Sequence, residues 1–486
     1  MVSSPSDQSC SADAVSTPAS EHARIVAAIH LRKLAVSVRR RDLLLLLLWA
    51  VCTHARAAVS PEAAAQLGTT LTPMGAERAG NADGSIPAWT GGMPAAAAQT
   101  TRSRPDPFAN ERPLFSITAS NLPHYNARVP EGAKALFAKY PDYRMDVYPT
   151  HRTAAAPQAV YDAVLRNATA ARAAPEGITS GIEGAAGGIP FPIPHNGAEA
   201  VWNHELAFWG AARETRLATY VVFGGHPPEL TDDRREVVDF PYYYPSATPG
   251  NIGAYYLERR EMTVDPPEHA GESYLALQPL NVARDKFAAW QYLPGQRRVR
   301  RAPSLSYDTP DPDASGLESF DDYYIFSGGL DRYRYTLLGK REMYIPYNNN
   351  RLLNLAPSEV LSPWIANPND LRYELHRVWV VDATLAPAQR DIVPHRRLYL
   401  DEDTWFAVYA DAWDREGRLW KFSHASMVII AELPAVVLGP QFVYDLQYGA
   451  YVFDFAFDGT PDGYRVTPMH PAATFTPEGL AASGTR

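Results

Sequence analysis

Residues 398–422, LYLDEDTWFAVYADAWDREGRLWKF, contain two short turns between segments rich in aromatic and β-branched residues. The turns are DEDT at 401–404 and DREG at 414–417, and Gly417 can adopt the left-handed conformation that tight hairpins need. Aromatic and β-branched side chains favour strands. The stretch therefore predicts neighbouring antiparallel strands at 395–401, 405–414 and 417–427.

The strand pattern continues on both sides of this stretch. Further strands are predicted at 254–263, 273–280, 286–293, 297–301, 333–346 and 373–384. Two helices are predicted earlier, at 157–171 and 198–209, from apolar residues at helical spacing. We therefore expect an α+β, mainly β fold, in which N-terminal helices and long loops cover a large curved antiparallel sheet. Neither face of the strand at 372–381 is cleanly polar, which predicts a sheet that is covered on both faces. The helices and loops would cover one face, and a ligand is a candidate cover for the other.

A second informative stretch is AWQYLPGQRRVRRAPSLSYDTP at 289–310. Pro294-Gly295 predicts a type II turn, with the glycine supplying the positive φ, between two strands. The second strand carries four arginines around Val299, and their guanidinium groups repel one another, so we expect acidic groups nearby. Two interpretations stay open. In the first, the arginines are solvated charges on an edge strand and block edge-to-edge aggregation. In the second, they bind an anionic head group or an acidic partner.

This stretch also resembles a known superfamily. The spacing W-x-Y-x-P-x-x-R-x-x-R, which begins at Trp290, resembles that of the bacterial lipoprotein carriers LolA and LolB and the sensor RseB. The strings GQRRVRRAP and SYDTP, and LTPMGAERAGNADGSIPAWTGG at 71–92, resemble more narrowly the domain-of-unknown-function family 1329, often labelled outer-membrane lipoprotein-sorting protein. The resemblance extends from about residue 58 to about 470. It implies a LolA-like half-barrel and a hydrophobic ligand.

The resemblance and the aromatic patterning give one set of candidate site residues. The candidates for lining a ligand site are Trp290, Tyr292, Trp379 and Trp405. Arg297 and Arg300 are candidates for contact with an anion or a protein partner. Aromatic residues at alternating positions are also what any sheet core uses, so a purely structural role stays open for each.

The N-terminus predicts export. Basic residues from Arg32 to Arg41 precede an apolar run at 43–51, and Ala55-Arg56-Ala57 fits a cleavage site before Ala58. We therefore expect a periplasmic protein, with outer-membrane association and the Sec or twin-arginine route left open. Cys10 and Cys52 both precede the expected cut, so the mature chain has no thiol for disulfides or thiolate chemistry.

Composition and charge limit the remaining possibilities. The 46% hydrophobic and 20% charged residues fit a folded protein. The domain expectation is an upstream extension and signal at 1–57 and a single domain at 58–486. That domain comprises a wrapping segment at 58–250, a sheet meander at 251–470 and a flexible tail at 471–486. The net charge of −9 makes nucleic acid an unexpected partner.

Catalytic and metal-binding motifs are not evident. No nucleophile elbow, zincin, P-loop or dinucleotide motif occurs, so we expect no enzyme, cofactor or metal. His195 and His204 match no ligand spacing. Glu374 and His376 could form an acid/base pair, but a hydrogen-bonded pair within a sheet is the commoner arrangement.

The apolar loop at 181–196 is either a buried connection or a lid over a ligand.

The functional expectation is a periplasmic carrier or sensor for a hydrophobic or acylated ligand, serving envelope lipid transport or an efflux-type transporter. An inner-membrane efflux-type transporter and an outer-membrane protein are the expected partners. The alternative is an envelope scaffold or adaptor that binds a protein through the arginine-rich strand. An uncharacterised hydrolase is the least favoured reading.

Overall fold

One large antiparallel sheet organises the computed structural model, which describes residues 59–93, 104–302, 306–456 and 463–483. The strands are β1 Phe115–Ile117, β2 Met145–Val147, β3 Arg172–Ala174, β4 Gly177–Glu183, β5 Ala212–Phe223, β6 Glu229–Asp239, β7 Tyr255–Asp265, β8 Ser273–Pro279, β9 Ala288–Leu293, β10 Arg298–Arg301, β11 Tyr333–Pro346, β12 Tyr373–Leu385, β13 His395–Asp401, β14 Ala407–Trp413, β15 Leu419–Ile430, β16 Ala435–Asp445, β17 Ala450–Ala456 and β18 Tyr464–Val466. The helices are α1 Pro61–Ala64, α2 Glu131–Lys139, α3 Gln158–Ala170, α4 Gly197–Glu205, α5 Pro357–Val360 and α6 Pro477–Ser483.

The sheet consists of two meanders joined edge to edge. Its strand order is β1-β2-β12-β13-β14-β15-β16-β17-β5-β6-β7-β8-β9-β10, with β11 also paired to β12 and β18 to β5. The meander β5–β10 meets the meander β11–β17 where β17 pairs antiparallel with β5. A single β12–β2 contact is parallel. The predicted fold class, mainly β with a large sheet and few helices, is confirmed, and the sheet does not close into a barrel.

The compact unit that contains the sheet spans Arg56–Arg486. The predicted signal peptide and both cysteines lie outside the described residues. Among the residues that are described, no helix is both long and apolar enough to cross a membrane.

Several predicted elements agree closely with the structure. Strands β11 and β13 have the predicted bounds, α3 lies within the first predicted helix, and α4 begins one residue before the second predicted helix and ends four residues before its predicted end. Strands β5 and β6 differ from the prediction, because they lie before residue 251 in what was expected to be a wrapping segment. In β6 the inward positions Asp232, Arg234 and Glu236 are charged and buried, so the strand lacks an apolar alternation. Arg234 instead pairs with Asp232 at 2.8 Å.

The C-terminal segment also differs from the prediction. Residues 471–486 were expected to be a flexible tail, but α6 packs on the sheet, with Leu480 fully buried and Phe475 5% exposed. Both contact a second hydrophobic core that includes Leu275, Leu277 and Tyr292. One face of β8 and β9 is therefore covered by the end of the chain.

The turn at 294–297 is tighter than the predicted type II turn. Pro294–Gln296 form one turn of 3-10 helix, and the positive φ of 47° belongs to Arg297 rather than Gly295. Arg297 therefore lies outside the strand, and β10 begins at Arg298. Register places Val299 opposite Tyr292, at the second core.

The apolar loop at 181–196 is a buried connection along most of its length. Asn203 holds it by accepting from the Phe191 N–H at 2.8 Å and donating to the Phe191 carbonyl at 2.6 Å. Asn167 and Tyr242 both donate to the Gly188 carbonyl, at 2.7 and 2.8 Å. Because these backbone groups are already satisfied, the geometry favours the connecting-loop interpretation over a lid.

Candidate functional site

A cavity lies between strands β7–β9 and the segment 306–327, which we call the covering segment. Its volume is about 80 Å³. The cavity lining contains ten aromatic residues: Trp209, Phe240, Tyr256, Tyr274, Phe287, Tyr307, Phe320, Tyr323, Tyr324 and Phe326. A concave, mainly aromatic lining with a few polar groups is typical of small-molecule sites.

The sheet contributes its half of the cavity through strand alternation. On β8, Tyr274, Ala276 and Gln278 line the cavity, Leu277 belongs to the second core, and Leu275 contributes to both. Successive strand residues point to opposite faces, so one strand serves both. The Tyr307 hydroxyl of the covering segment donates to Gln278 Oε1 at 3.1 Å, which links the cover to this face.

Two adjacent buried aspartates fix the covering segment. Asp321 accepts from Arg332 at 2.7 Å and from Arg396 at 2.9 Å. Asp322 accepts from Lys421 Nζ at 2.8 Å and also pairs with Arg396. These three cations come from outside the segment, with Arg396 on β13 and Lys421 on β15. The segment is therefore tied to the far meander, across the cavity from β8.

Backbone hydrogen bonds reinforce this attachment. Gln441 on β16 donates to the Asp322 carbonyl and accepts from the Ile325 N–H, each at 2.8 Å. Ile325 has φ of 73° and its neighbour Tyr324 has φ of 56°. A β-branched residue rarely adopts that conformation, and it persists only where surrounding contacts impose it. Gln441 supplies such a contact and turns Tyr324 and Phe326 toward the cavity.

Four carboxyl groups line the cavity together with one guanidinium. They are Glu205, Glu261, Asp311 and Asp313, and the guanidinium is that of Arg259. Arg259 Nε lies 3.1 Å from Glu261 Oε1. Asp311 accepts from the Tyr323 hydroxyl at 2.7 Å. Burial raises the pKa of Asp311 to about 6 and that of Asp313 to about 8.

Glu205, at the end of α4, has only one of its two carboxyl oxygens hydrogen bonded within the described part of the chain. Its Oε2 accepts from the Tyr256 hydroxyl at 2.6 Å, but Oε1 is buried without a hydrogen-bond partner among the described residues. Burial raises the pKa of Glu205 to about 8, against the lowering effects of Tyr256, the Gly328 N–H and Arg332. An unpaired buried acceptor is costly, so this atom is available to a donor on a ligand.

His204 has a structural position beside Glu205. Its Nδ1 accepts from the Ala407 N–H at 3.0 Å, so Nε2 carries the proton and donates to the Phe326 carbonyl at 2.8 Å. Burial lowers the pKa of His204 to about 4. The ring is therefore neutral and both nitrogens are occupied, which leaves neither for a metal.

The four aromatic residues predicted from the sequence lie outside this cavity. Trp290 and Tyr292 belong to the second core, on the opposite face of β9 from the cavity residue Ala289. Trp405 is fully buried, donates to the Met74 carbonyl at 2.8 Å and stacks on Trp379 with centroids 6.1 Å apart. The structure thus places Trp290 near Tyr292 and Trp379 near Trp405 but does not bring the two pairs together. The assignment of these four residues to a ligand site stays a prediction.

The arginines of the hairpin are exposed at the edge of the sheet. Arg300 donates to Gln291 Oε1 at 2.8 Å, and Arg301 lies 6.0 Å from the Trp290 ring centroid. None of the four guanidinium groups forms an ion pair with a described carboxylate, so the expected acidic neighbours are not found there. The edge strand β10 is left as a strongly positive surface.

Glu374 and His376 form a buried pair within a larger polar network. His376 Nε2 lies 3.3 Å from Glu374 Oε2, and Glu374 also accepts from Arg372 at 2.6 Å. His376, Asp401 and Asp403 could bring ligand atoms within 4.8 Å of one another. However, Arg152 donates to both oxygens of Asp403, at 2.8 and 2.6 Å, and so supplies the positive charge that the cluster needs. The hydrogen-bonded interpretation fits this geometry better than an acid/base pair.

Sequence reasoning missed the cavity because its lining comes from separate stretches between residues 204 and 327. One signal was present. The loop at 308–322, DTPDPDASGLESFDD, carries six acidic residues. An acidic loop in a chain with buried basic strand residues predicts internal ion pairs, and Asp321 and Asp322 form them.

We expect Asp322→Asn to loosen the covering segment. The variant leaves Lys421 and Arg396 buried with a weaker partner, and breaking a buried ion pair typically costs about 3–5 kcal/mol. Hydrogen exchange at 306–327 should accelerate more than exchange in β15, as measured by mass spectrometry. The exposed Asp331→Asn serves as the control. Equal exchange in Asp322→Asn and the parent protein would contradict the anchoring role.

We expect Glu205→Gln to change how stability depends on pH. The folded-state pKa of about 8 lies above the ordinary value of 4.5, so the parent loses stability as pH rises between these values. The amide has no proton to lose and can still accept from Tyr256. Between pH 5 and pH 9 the variant should therefore gain more than about 1 kcal/mol relative to the parent, as measured by urea unfolding. The exposed Glu416→Gln should show no such gain, and a parallel pH dependence in Glu205→Gln would refute the buried neutral acid.

Comparison with known proteins agrees with the resemblance read from the sequence. An uncharacterized protein of Pseudomonas aeruginosa is 40% identical over 450 residues, covering 90% of this chain and 96% of that protein. Among solved structures, a putative outer membrane lipoprotein-sorting protein domain from Vibrio parahaemolyticus is 13% identical with a TM-score of 0.41, covering 59% of this chain and 98% of that one. A DUF1329 family protein from Desulfovibrio piger is 14% identical with a TM-score of 0.40, covering 58% and 95%.

The family match covers most of the sheet and the whole cavity. The profile described as "Protein of unknown function (DUF1329)" matches residues 116–481, which include every strand of the sheet except the first residue of β1. With the Pseudomonas aeruginosa relative, this match confirms the resemblance to the domain-of-unknown-function family 1329. The chain belongs to the DUF1329 family.

Proposed function

We propose that this protein is a periplasmic carrier or sensor that holds a hydrophobic ligand in the cavity beneath the covering segment. The observation that supports this most directly is the cavity itself, with a volume of about 80 Å³ and ten aromatic residues in its lining. Burying apolar ligand surface there yields roughly 25 cal/mol per Å². A ligand with an alkyl or acyl chain would therefore gain much of its binding energy from these rings.

The anchored cover supports binding rather than catalysis. Asp321 and Asp322 fix the segment through buried ion pairs, and a preorganised cover reduces the entropy lost when a ligand binds. Among the described residues that line the cavity, we find no nucleophile hydrogen bonded to a general base. We therefore propose a non-enzymatic role.

The expected signal peptide supports the compartment, and the family resemblance supports the partners. We propose that the mature chain acts in the periplasm and exchanges its ligand with an inner-membrane efflux-type transporter or an outer-membrane protein. A lipid or acyl chain is the ligand class that fits an aromatic cavity in this compartment.

Native mass spectrometry of the mature chain from residue 58, purified without detergent from a periplasmic extract, tests the carrier function. We expect a stoichiometric lipid-like adduct. Ala276→Trp should abolish the adduct because Ala276 lines the cavity and an indole would fill it. Trp290→Ala and Trp379→Ala are the matched comparisons. Loss of the adduct in these variants, with retention in Ala276→Trp, would move the ligand site to the residues predicted from the sequence.

A second candidate function is an adaptor that binds an acidic protein segment through β10. This is favoured by one observation, namely three exposed guanidinium groups on the edge strand β10 and a fourth on Arg297 just before it, without described carboxylate partners. An edge strand offers unpaired backbone groups to an added strand, and the arginines would pair with its acidic side chains.

Cross-linking in cell envelopes tests the adaptor function. We expect Arg298→Glu with Arg300→Glu to abolish a salt-sensitive complex, because the charge reversal repels an acidic partner. Arg415→Glu, on the exposed β14–β15 turn, is the control. A complex that persists in the double variant would exclude β10 as the docking strand.

A further inference from the structure

The polar groups of the cavity have one predominant charge. Four carboxyl groups face it, and the single guanidinium, Arg259, already lies 3.1 Å from Glu261. His204 contributes no charge, because both ring nitrogens are hydrogen bonded within the protein. A ligand anion would oppose the ionisation of these carboxyl groups, in a poorly solvated site where electrostatic interactions are strong.

The aromatic rings of the cavity already contact cations. The guanidinium carbon of Arg259 lies 5.0 Å from the Tyr323 ring centroid. That of Arg332 lies 4.8 Å from the Tyr307 ring centroid and 5.9 Å from that of Phe326. A cation within about 6 Å of an aromatic face is attracted by the ring quadrupole, more strongly where water is excluded. The surroundings of these rings therefore accommodate positive charge.

Glu205 provides an independent indication of a ligand contact. The residue is 9% exposed, and its Oε1 is buried without a hydrogen-bond partner among the described residues. The opposite oxygen is occupied by the Tyr256 hydroxyl at 2.6 Å. An ammonium group could satisfy Oε1 by charge and, where it carries N–H, by hydrogen bonding.

We propose that the cavity selects hydrophobic ligands that carry a positively charged amine or ammonium group over acyl chains that end in a carboxylate. The inference rests on the proposed carrier function and specifies its ligand. The alkyl part would lie against the aromatic rings, and the cationic group would lie near Glu205 or near Asp311 and Asp313.

Binding of such a cation should release protons. Burial keeps Glu205 and Asp313 partly protonated near neutral pH, with pKa values of about 8. Tyr256 and Arg332 face Glu205, while Asp311, Asp232, Glu261 and Arg234 surround Asp313. A positive charge placed beside either carboxyl group lowers its pKa, so a proton leaves as the cation binds.

Titration calorimetry with three probes of equal chain length tests the proposal on the mature protein at pH 7.5. The probes are dodecyltrimethylammonium, dodecanol and dodecanoate, each below its micelle concentration. We expect dodecyltrimethylammonium to bind about tenfold or more tightly than dodecanoate. Its heat should vary with the ionisation enthalpy of the buffer, which reports proton release, and the heat of dodecanol should not.

Variants locate the contact. Glu205→Gln or Asp313→Asn should weaken binding of dodecyltrimethylammonium at least about threefold and leave that of dodecanol unchanged, since each removes charge with little change in volume. The exposed Glu416→Gln is the control. Asp313 is only partly buried, so Asp313→Asn keeps the test valid if Glu205→Gln fails to fold.

The outcomes separate the two proposals. If none of the three probes binds, the carrier function fails and this inference fails with it. If dodecanol binds but dodecanoate binds as tightly as dodecyltrimethylammonium, the carrier function stands and selectivity for cations is overturned. Tighter binding of the cation that is unaffected by both variants would also overturn the assignment to these carboxyl groups.

Discussion

The buried pairing of Asp321 and Asp322 with three cations is the interaction on which the cavity depends. Adjacent carboxylates in a protein interior repel each other and lose hydration, so they are stable only with compensating charge. Arg332, Arg396 and Lys421 supply it. Because Arg396 and Lys421 belong to strands β13 and β15, satisfying the aspartates also places residues 306–327 over β7–β9. One electrostatic requirement thus positions the segment that encloses the cavity.

An anchor of this kind restricts how the cavity can open. The ion pairs and the Gln441 hydrogen bonds lie around residues 321–325, where the backbone is also strained at Tyr324 and Ile325. Nearer residue 306 the segment is held by hydrogen bonds instead, from the Tyr307 hydroxyl to Gln278 at 3.1 Å and from the Asp321 N–H to the Tyr307 carbonyl at 2.9 Å.

The fold was more predictable from the sequence than the site. Strands such as β11 and β13 have alternating or aromatic patterns bounded by turns, so local propensity was sufficient to find them. Strand β6 was missed because Asp232, Arg234 and Glu236 are buried in pairs that no local pattern predicts. The cavity was not predicted from the sequence for a related reason. Its walls combine β7–β9 with a loop whose position depends on distant ion pairs.

The sequence does not reveal which face of β8 and β9 lines the cavity. Register places Tyr292 opposite Ser273 and Trp290 opposite Leu275, so both rings share a face with the second core. Residues of the other parity, Tyr274 and Ala289, line the cavity. Alternation alone separates these two sets but does not say which faces a ligand.

The C-terminal helix decides between the two faces. Leu480 and Phe475 cover the side of the sheet that carries Trp290 and Tyr292, and Leu480 is fully buried there. If residues 471–486 were the flexible tail expected from the sequence, that face would be open and its aromatic residues would be reasonable ligand contacts. Because the helix fills it, the unfilled aromatic space lies on the opposite face, between the sheet and the anchored covering segment.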